Sequence, residues 1–208
     1  MPRTPFRFSS AACTALLAAA TLVPATDAAA QTIPDHEVQM AGALAAAPPE
    51  LRAGAAIIGW RSDGTTVRLR DGDNGLICLA DDPTREGWSP ACYQESLEPY
   101  MERGRQLRLE GVSDAAERLR IRWAEADAGT LALPEEPAMV YILAGDGFDA
   151  SAGQPINPFL RWVVYIPYAT PESTGLPTRP TSADAPWLMY PGEAGAHIMI
   201  TPARSGGG

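Results

Sequence analysis

The sequence predicts an α+β domain, a mostly antiparallel sheet with two or three helices packed on one face and one disulfide. Three observations carry this prediction. Apolar runs of strand length cluster before residue 81 and after residue 137, helix-capping signals fill the stretch between them, and one cysteine pair remains once an N-terminal leader is removed.

The leader comes first in the chain. Arg3 and Arg7 precede a thirteen-residue apolar run, Ala11 to Val23, which ends at Pro24 and Asp27. A bilayer span needs about 20 apolar residues, so the run suits a signal peptide and is too short for a membrane anchor. Small residues at Ala28, Ala29 and Ala30 place the cleavage between Ala30 and Gln31. Cys13 lies near the start of the run rather than its end, unlike a lipoprotein cysteine, and Arg3 and Arg7 do not form a twin-arginine pair. The expectation is Sec-type export to the periplasm or the medium, with residues 1–30 as signal peptide, 31–203 as one domain and 204–208 as a disordered tail. No other apolar segment approaches spanning length, so the mature protein is expected to be soluble.

Cleavage removes Cys13 and leaves Cys78 and Cys92 in a compartment where thiols oxidise. Their disulfide closes a 15-residue loop, which the chain-entropy argument values at about 3 kcal/mol.

The remaining elements follow in order. Asp35 is placed to cap a short helix over 34–47, where Val38, Ala41, Leu44 and Ala45 recur at helical spacing, and Pro48-Pro49 ends it. Ala55 to Trp60 reads as a buried strand. Ser62-Asp63-Gly64 turns the chain into Thr65 to Arg70, where Val67 and Leu69 alternate with Arg68 and Arg70, making a hairpin. Residues 71–75 (DGDNG) form a second turn before the strand Leu76 to Ala80. Residues 81–91 read as loop, and a helix is expected from Cys92 to about Glu110, stopped at Gly111 and weakened by Gly104. Residues 113–128 carry two competing periods. Asp114-x-x-Glu117 as a capping box and Gly129 as a C-terminal stop decide for helix. Ala138 to Ala144 and Leu160 to Tyr168 are strong strands, joined by a loop over 145–159. A long loop over 169–186 leads to two short closing strands, Trp187 to Tyr190 and His197 to Thr201.

Composition excludes several chemistries. The precursor carries a formal charge of −9, and the mature chain 14 positive and 24 negative groups, net −10. Such a balance works against nucleic acid and anionic lipid surfaces, where affinity comes from clustered cations. All 16 cations are arginine. Without lysine there is no P-loop lysine, no Schiff base and no lysine general base. No cofactor is expected.

Among residues that could carry chemistry, His197 and Glu193 stand out as candidate catalytic residues, a carboxylate four positions before an imidazole. Pro191, Gly192 and Gly195 argue that this stretch is a turn entering a strand, so the two need not face each other. Ser151 and Ser173 are weak candidate nucleophiles without a G-x-S-x-G elbow. Asp71, Asp73 and Gly75 resemble the start of a calcium loop, but Asp82 stands where its bidentate glutamate is due. Trp60, Trp88, Trp123, Trp162 and Trp187 suit core packing better than a ligand groove.

The segments Leu69-Arg70-Asp71-Gly72-x-Asn74-Gly75-x-x-Cys78, Cys92-Tyr93 and Trp187-Leu188-Met189-x-Pro191-Gly192-x-x-x-Ala196-His197-Ile198-Met199 resemble a group of uncharacterised exported bacterial proteins. The resemblance covers most of the mature chain and implies export, but no activity. It departs from the group at Leu76, where an aromatic is expected, and at Glu193, where threonine is expected.

The sequence thus points to an exported soluble protein of unknown biochemical activity, a binding or envelope-associated module whose partner would be an envelope or extracellular ligand, with no constellation that assembles a nucleophile, base and oxyanion donor. A hydrolase using His197 with an acid and a serine or water, and a purely structural envelope protein, are the alternatives.

Overall fold

Five consecutive buried residues, Ala56–Trp60, form strand β1. A strand buried on both faces needs a packed layer above and below it. The computed structural model, which describes Met1 and residues 33–202, supplies both layers. Contacts divide the chain into two units, Met1–Ala30 and Gln31–Gly208, and apart from Met1 the described residues belong to the second. The expected leader, its cleavage point at Ala30 and Gln31, and the tail 204–208 lie outside the described residues.

The main sheet has eight strands. Besides β1 they are β2 (Thr66–Arg70), β3 (Leu76–Leu79), β4 (Ala91–Gln94), β5 (Ala138–Ala144), β8 (Phe159–Tyr165), β9 (Trp187–Met189) and β10 (His197–Ile200). Their spatial order is β2-β1-β3-β4-β5-β8-β10-β9, and every pairing is antiparallel except β1 with β3. The fold is α+β with a mostly antiparallel sheet. The parallel pair arises because the 71–75 turn carries the chain from β2, at the edge, past β1 to its other side. Gly72 makes that passage possible, since a Cβ there would press into the backbone of Gly54 and Ala56. Gly75 (φ +72°) then closes the turn.

Alternation along the strands sends neighbours to opposite cores. On one face Ile57, Trp60, Leu76, Cys78, Cys92 and Leu143 pack beneath helix α1 (His36–Ala45) and the residues just after it, through Ala43, Ala46 and Ala47. Asp35 occupies the N-cap of α1 but makes no side-chain cap bond. Gln39 fastens the helix instead. Its buried amide accepts from Trp60 N (2.7 Å) and donates to the carbonyls of Pro34 (2.8 Å) and Trp60 (3.2 Å).

On the other face Ile58, Ile77, Tyr93, Val140 and Val163 meet Leu97 and Met101. Leu97 ends a 3₁₀ turn (Glu95–Leu97) that leads into helix α2 (Glu98–Leu109), and helix α3 (Ala115–Asp127) lies against α2. Arg103 forks onto the Glu125 carboxylate from one helix to the other at 2.8 to 3.0 Å. Two helices therefore share one face, as the sequence predicts, and α1 covers the opposite one.

The helical reading of 113–128 holds, with Asp114 accepting from Glu117 N at 2.7 Å. The reading from Cys92 needs correction over its first residues. Ala91–Gln94 is strand, because Cys92 stands directly opposite Cys78 in the β3–β4 ladder and is bonded to it. Both sulfurs are fully buried, and Cys92 Sγ lies 3.4 Å from the Ala43 carbonyl oxygen. The 145–159 loop folds into a hairpin of its own, β6 (Gly147–Asp149) with β7 (Gln154–Ile156). The 169–186 loop opens with a single helical turn, α4 (Pro171–Thr174), capped reciprocally by Thr170 and Ser173.

Candidate functional site

His197 begins β10 directly opposite Tyr165 on β8. It is 7% exposed. Its Nδ1 lies 2.7 Å from the Gly195 carbonyl oxygen, which assigns the proton to Nδ1, and its ring lies against Tyr165 (4.9 Å) and Tyr190 (5.6 Å). Burial lowers its pKa from the ordinary imidazole value, against the opposing effect of the Gly195 bond. Glu193 sits on an exposed turn, where its carbonyl receives Ala196 N and Tyr168 N. No hydrogen bond or ion pair joins Glu193 to His197 among the described residues.

The aromatic wall continues onto the helices. Trp123 of α3 donates its indole N–H to the Tyr100 hydroxyl of α2 at 3.1 Å, and its ring meets Tyr190 edge-on at 5.2 Å. Gly195 is seated against this pair. A Cβ at Gly195 would stand 2.5 Å from the indole nitrogen and 2.6 Å from the phenol oxygen. The assembly surrounds the imidazole with rings and backbone, and among the described residues no carboxylate or serine hydrogen-bonds to it.

The candidate serines are engaged locally. Ser151 donates to Asp149 Oδ1 at 2.6 Å and Ser173 to the Thr170 carbonyl at 3.1 Å, both on exposed turns. Asp71 and Asp73 lie on an exposed turn, and among the described residues no group of three or more His, Cys, Asp or Glu side chains could hold a metal ion. Trp60 and Trp88 are buried, with the Trp60 indole donating to the Ala80 carbonyl at 3.0 Å.

What the sequence reading missed is a concentration of arginine. Between the C-terminal turn of α2, the stretch of α3 from Ala115 to Arg122 and the 81–90 loop lies an open groove of about 600 Å³, lined by Arg85, Arg108, Arg118 and Arg122 and by no carboxylate. Each guanidinium is held differently. Arg108 pairs with the buried Asp82 carboxylate and donates to Thr84 Oγ1 at 2.7 Å. Burial pushes Asp82 upward, but the hydrogen bonds from Arg108 and Thr84 outweigh it and hold the group below the usual carboxylate range. Arg118 donates to the carbonyls of Val112 (2.8 Å) and Ser113 (2.6 Å). Arg122 reaches the Tyr100 carbonyl at 3.1 Å and lies 4.2 Å over the Tyr100 ring.

Arg85, Arg118 and Arg122 form no ion pair among the described residues. The crowding registers on Arg118, where burial first and then repulsion from Arg108, Arg122 and Arg85 lower the pKa. Arg118 and Arg122, four residues apart on one helix, form a like-charge pair that costs stability unless something compensates it. That spacing was the one signal of the groove in the sequence. The other two arginines arrive from separate segments.

A second groove, of about 580 Å³, opens on the other side of Arg85. Its walls include Glu86, Asp146, Asn157, Phe159 and Arg161. Asn157 holds positive φ (47°) and donates to Asp146 Oδ2 at 2.7 Å. Arg161 lies 5.3 Å over the Phe159 ring, and its buried Nε finds no acceptor.

No protein family, curated protein or solved structure matches this chain. No helix among the described residues is long and apolar enough to cross a membrane.

Proposed function

We propose that this protein is an exported, disulfide-stapled binding module whose site is the four-arginine groove between α2 and α3, and that the groove takes an anionic ligand. One observation carries the reading. Three guanidinium groups without carboxylate partners converge on a single open concavity in a chain of net negative charge. Forked guanidinium donors suit carboxylate, phosphate or sulfate oxygens, which they bind through paired charge-assisted hydrogen bonds. Export is supported by the leader-like N-terminus, by the resemblance to exported proteins, and by the Cys78–Cys92 bond, which needs oxidising surroundings to form.

The hydrolase alternative finds less support. His197 is enclosed by Tyr165, Tyr190 and the Gly195 carbonyl, with no acid or hydroxyl in hydrogen-bond reach among the described residues.

The test is thermal unfolding in a panel of small anions: phosphate, sulfate, citrate and galacturonate. A ligand at 100 times its dissociation constant adds about 2.7 kcal/mol, which for a domain of this size raises Tm by roughly 5 to 10 °C. The shift should vanish in Arg118→Ala and survive in His197→Gln. A shift lost in His197→Gln and kept in Arg118→Ala would move the site to the imidazole, and no shift with any anion would favour a structural role.

A further inference from the structure

The two grooves meet at Arg85, and they differ in chemistry. The one between α2 and α3 presents guanidinium donors and no carboxylate. The other presents a planar ring, Phe159, with the Arg161 guanidinium laid over it, beside an amide and a carboxylate, Asn157 and Asp146, already linked at 2.7 Å. The Arg161 side chain forms neither an ion pair nor a hydrogen bond among the described residues, and its buried Nε is left without an acceptor. A buried donor with no acceptor is costly, so the Arg161 guanidinium, 5.3 Å from the Phe159 ring centroid, carries a charge and a donor that no protein group answers among the described residues.

From this juxtaposition we infer that the ligand is an acidic oligosaccharide running across Arg85, with one acidic unit in the Arg108–Arg118–Arg122 groove and another sugar ring in the Phe159–Arg161 groove. The inference rests on the anion-binding reading above and names the ligand class of that site. Each groove falls in the size range, about 300 to 1,000 Å³, that accommodates a small ligand. A bare inorganic polyanion uses only half of this pair, because it offers nothing to the Phe159 ring or to the Asn157 amide and Asp146 carboxylate of the second groove. A sugar acid fits both halves. Its carboxylate or sulfate answers the guanidinium groups, its hydroxyls can donate to Asp146 and accept from Asn157, and the apolar face of its ring can lie on an aromatic or guanidinium plane.

The experiment compares calorimetric titrations of the disulfide-intact protein with galacturonate monomer, an α-1,4-linked galacturonate hexamer, and hexaglutamate as an acidic chain without sugar rings. The hexamer is expected to bind at least about tenfold more tightly than either of the others, a difference of about 1.4 kcal/mol. Arg161→Ala and Phe159→Ala should remove that advantage while leaving monomer binding unchanged, and Arg118→Ala should weaken all three ligands. Equal affinity for hexamer and monomer, or equal affinity for hexamer and hexaglutamate, overturns the oligosaccharide assignment and leaves the anion groove standing. Hexamer binding that survives Arg118→Ala removes both. Circular dichroism of each variant separates lost binding from lost folding.

Discussion

His197 shows how one buried side chain can make stability depend on acid. Its folded pKa lies below the ordinary imidazole value of 6.5 because burial disfavours the charged ring. Above that value both folded and unfolded chains carry neutral imidazole, and the stabilisation is fully present. As pH falls below it the unfolded chain takes up a proton that the folded one refuses, so stability drops by up to about 1.4 kcal/mol per pH unit until the folded ring titrates as well. Urea titrations from pH 7.5 downward should therefore show a steeper loss for the native protein than for His197→Gln, and parallel losses would contradict the burial. At this scale the sequence was only partly informative. Gly192 and Gly195 identified the approach to His197 as a turn, and the structure shows that turn with Glu193 facing solvent. The arginine groove could not be assembled from the sequence, because Arg85, Arg108, Arg118 and Arg122 come from three segments and only Arg118 and Arg122 share a helix.

Among the elements, the β3–β4 ladder carries the sharpest prediction. Cys78 and Cys92 face one another with no exposed area, roofed by α1. Thiol–disulfide exchange requires a thiolate to reach a sulfur atom, so reduction must wait for unfolding. Dithiothreitol should leave the bond intact in native buffer and open it past the urea midpoint, as read by the mass gained on alkylation. Replacing both cysteines by alanine should cost about 3 kcal/mol or more, the lost cross-link with the added cost of a cavity. Rapid reduction of the folded protein would contradict the packing. The elements were legible where local chemistry was self-sufficient. The cap at Asp114 identified α3, and the alternation over Thr65 to Arg70 identified the first hairpin. β4 was misread because four residues leave too little room for a period, and only the cross-strand partner of Cys92 settles its geometry. The placement of α1 on the face opposite α2 and α3 depends on β1 lying second from the sheet edge, which no local pattern records.

For the whole molecule the relevant contrast is a negative chain around a positive groove. An anionic ligand is repelled at long range by the net charge and attracted only near the arginines. Raising ionic strength from about 0.01 to about 0.15 M contracts the Debye length from roughly 30 to 8 Å. Over this range the association rate should stay level or rise, while the dissociation rate rises as the contact is screened. A steep fall in association rate, the behaviour of oppositely charged partners, would place the attraction outside the groove. The overall class was legible from the order of strands, helices and strands. The single parallel pairing was not, since it follows from a turn that passes one strand and pairs with the next.

The two margins of the sheet are both guarded. At one, β2 turns Arg68 to solvent while Arg70 folds its guanidinium back onto the Ala55 carbonyl at 2.7 and 3.0 Å. At the other, the three-residue β9 has its outward Leu188 N–H already engaged by the Pro177 carbonyl at 2.8 Å. Charged side chains and short, occupied edges deny a neighbouring copy the bare ladder on which fibrils grow. Crowded among its own kind, the folded chain meets its neighbours with charge at one described edge and a short, engaged strand at the other.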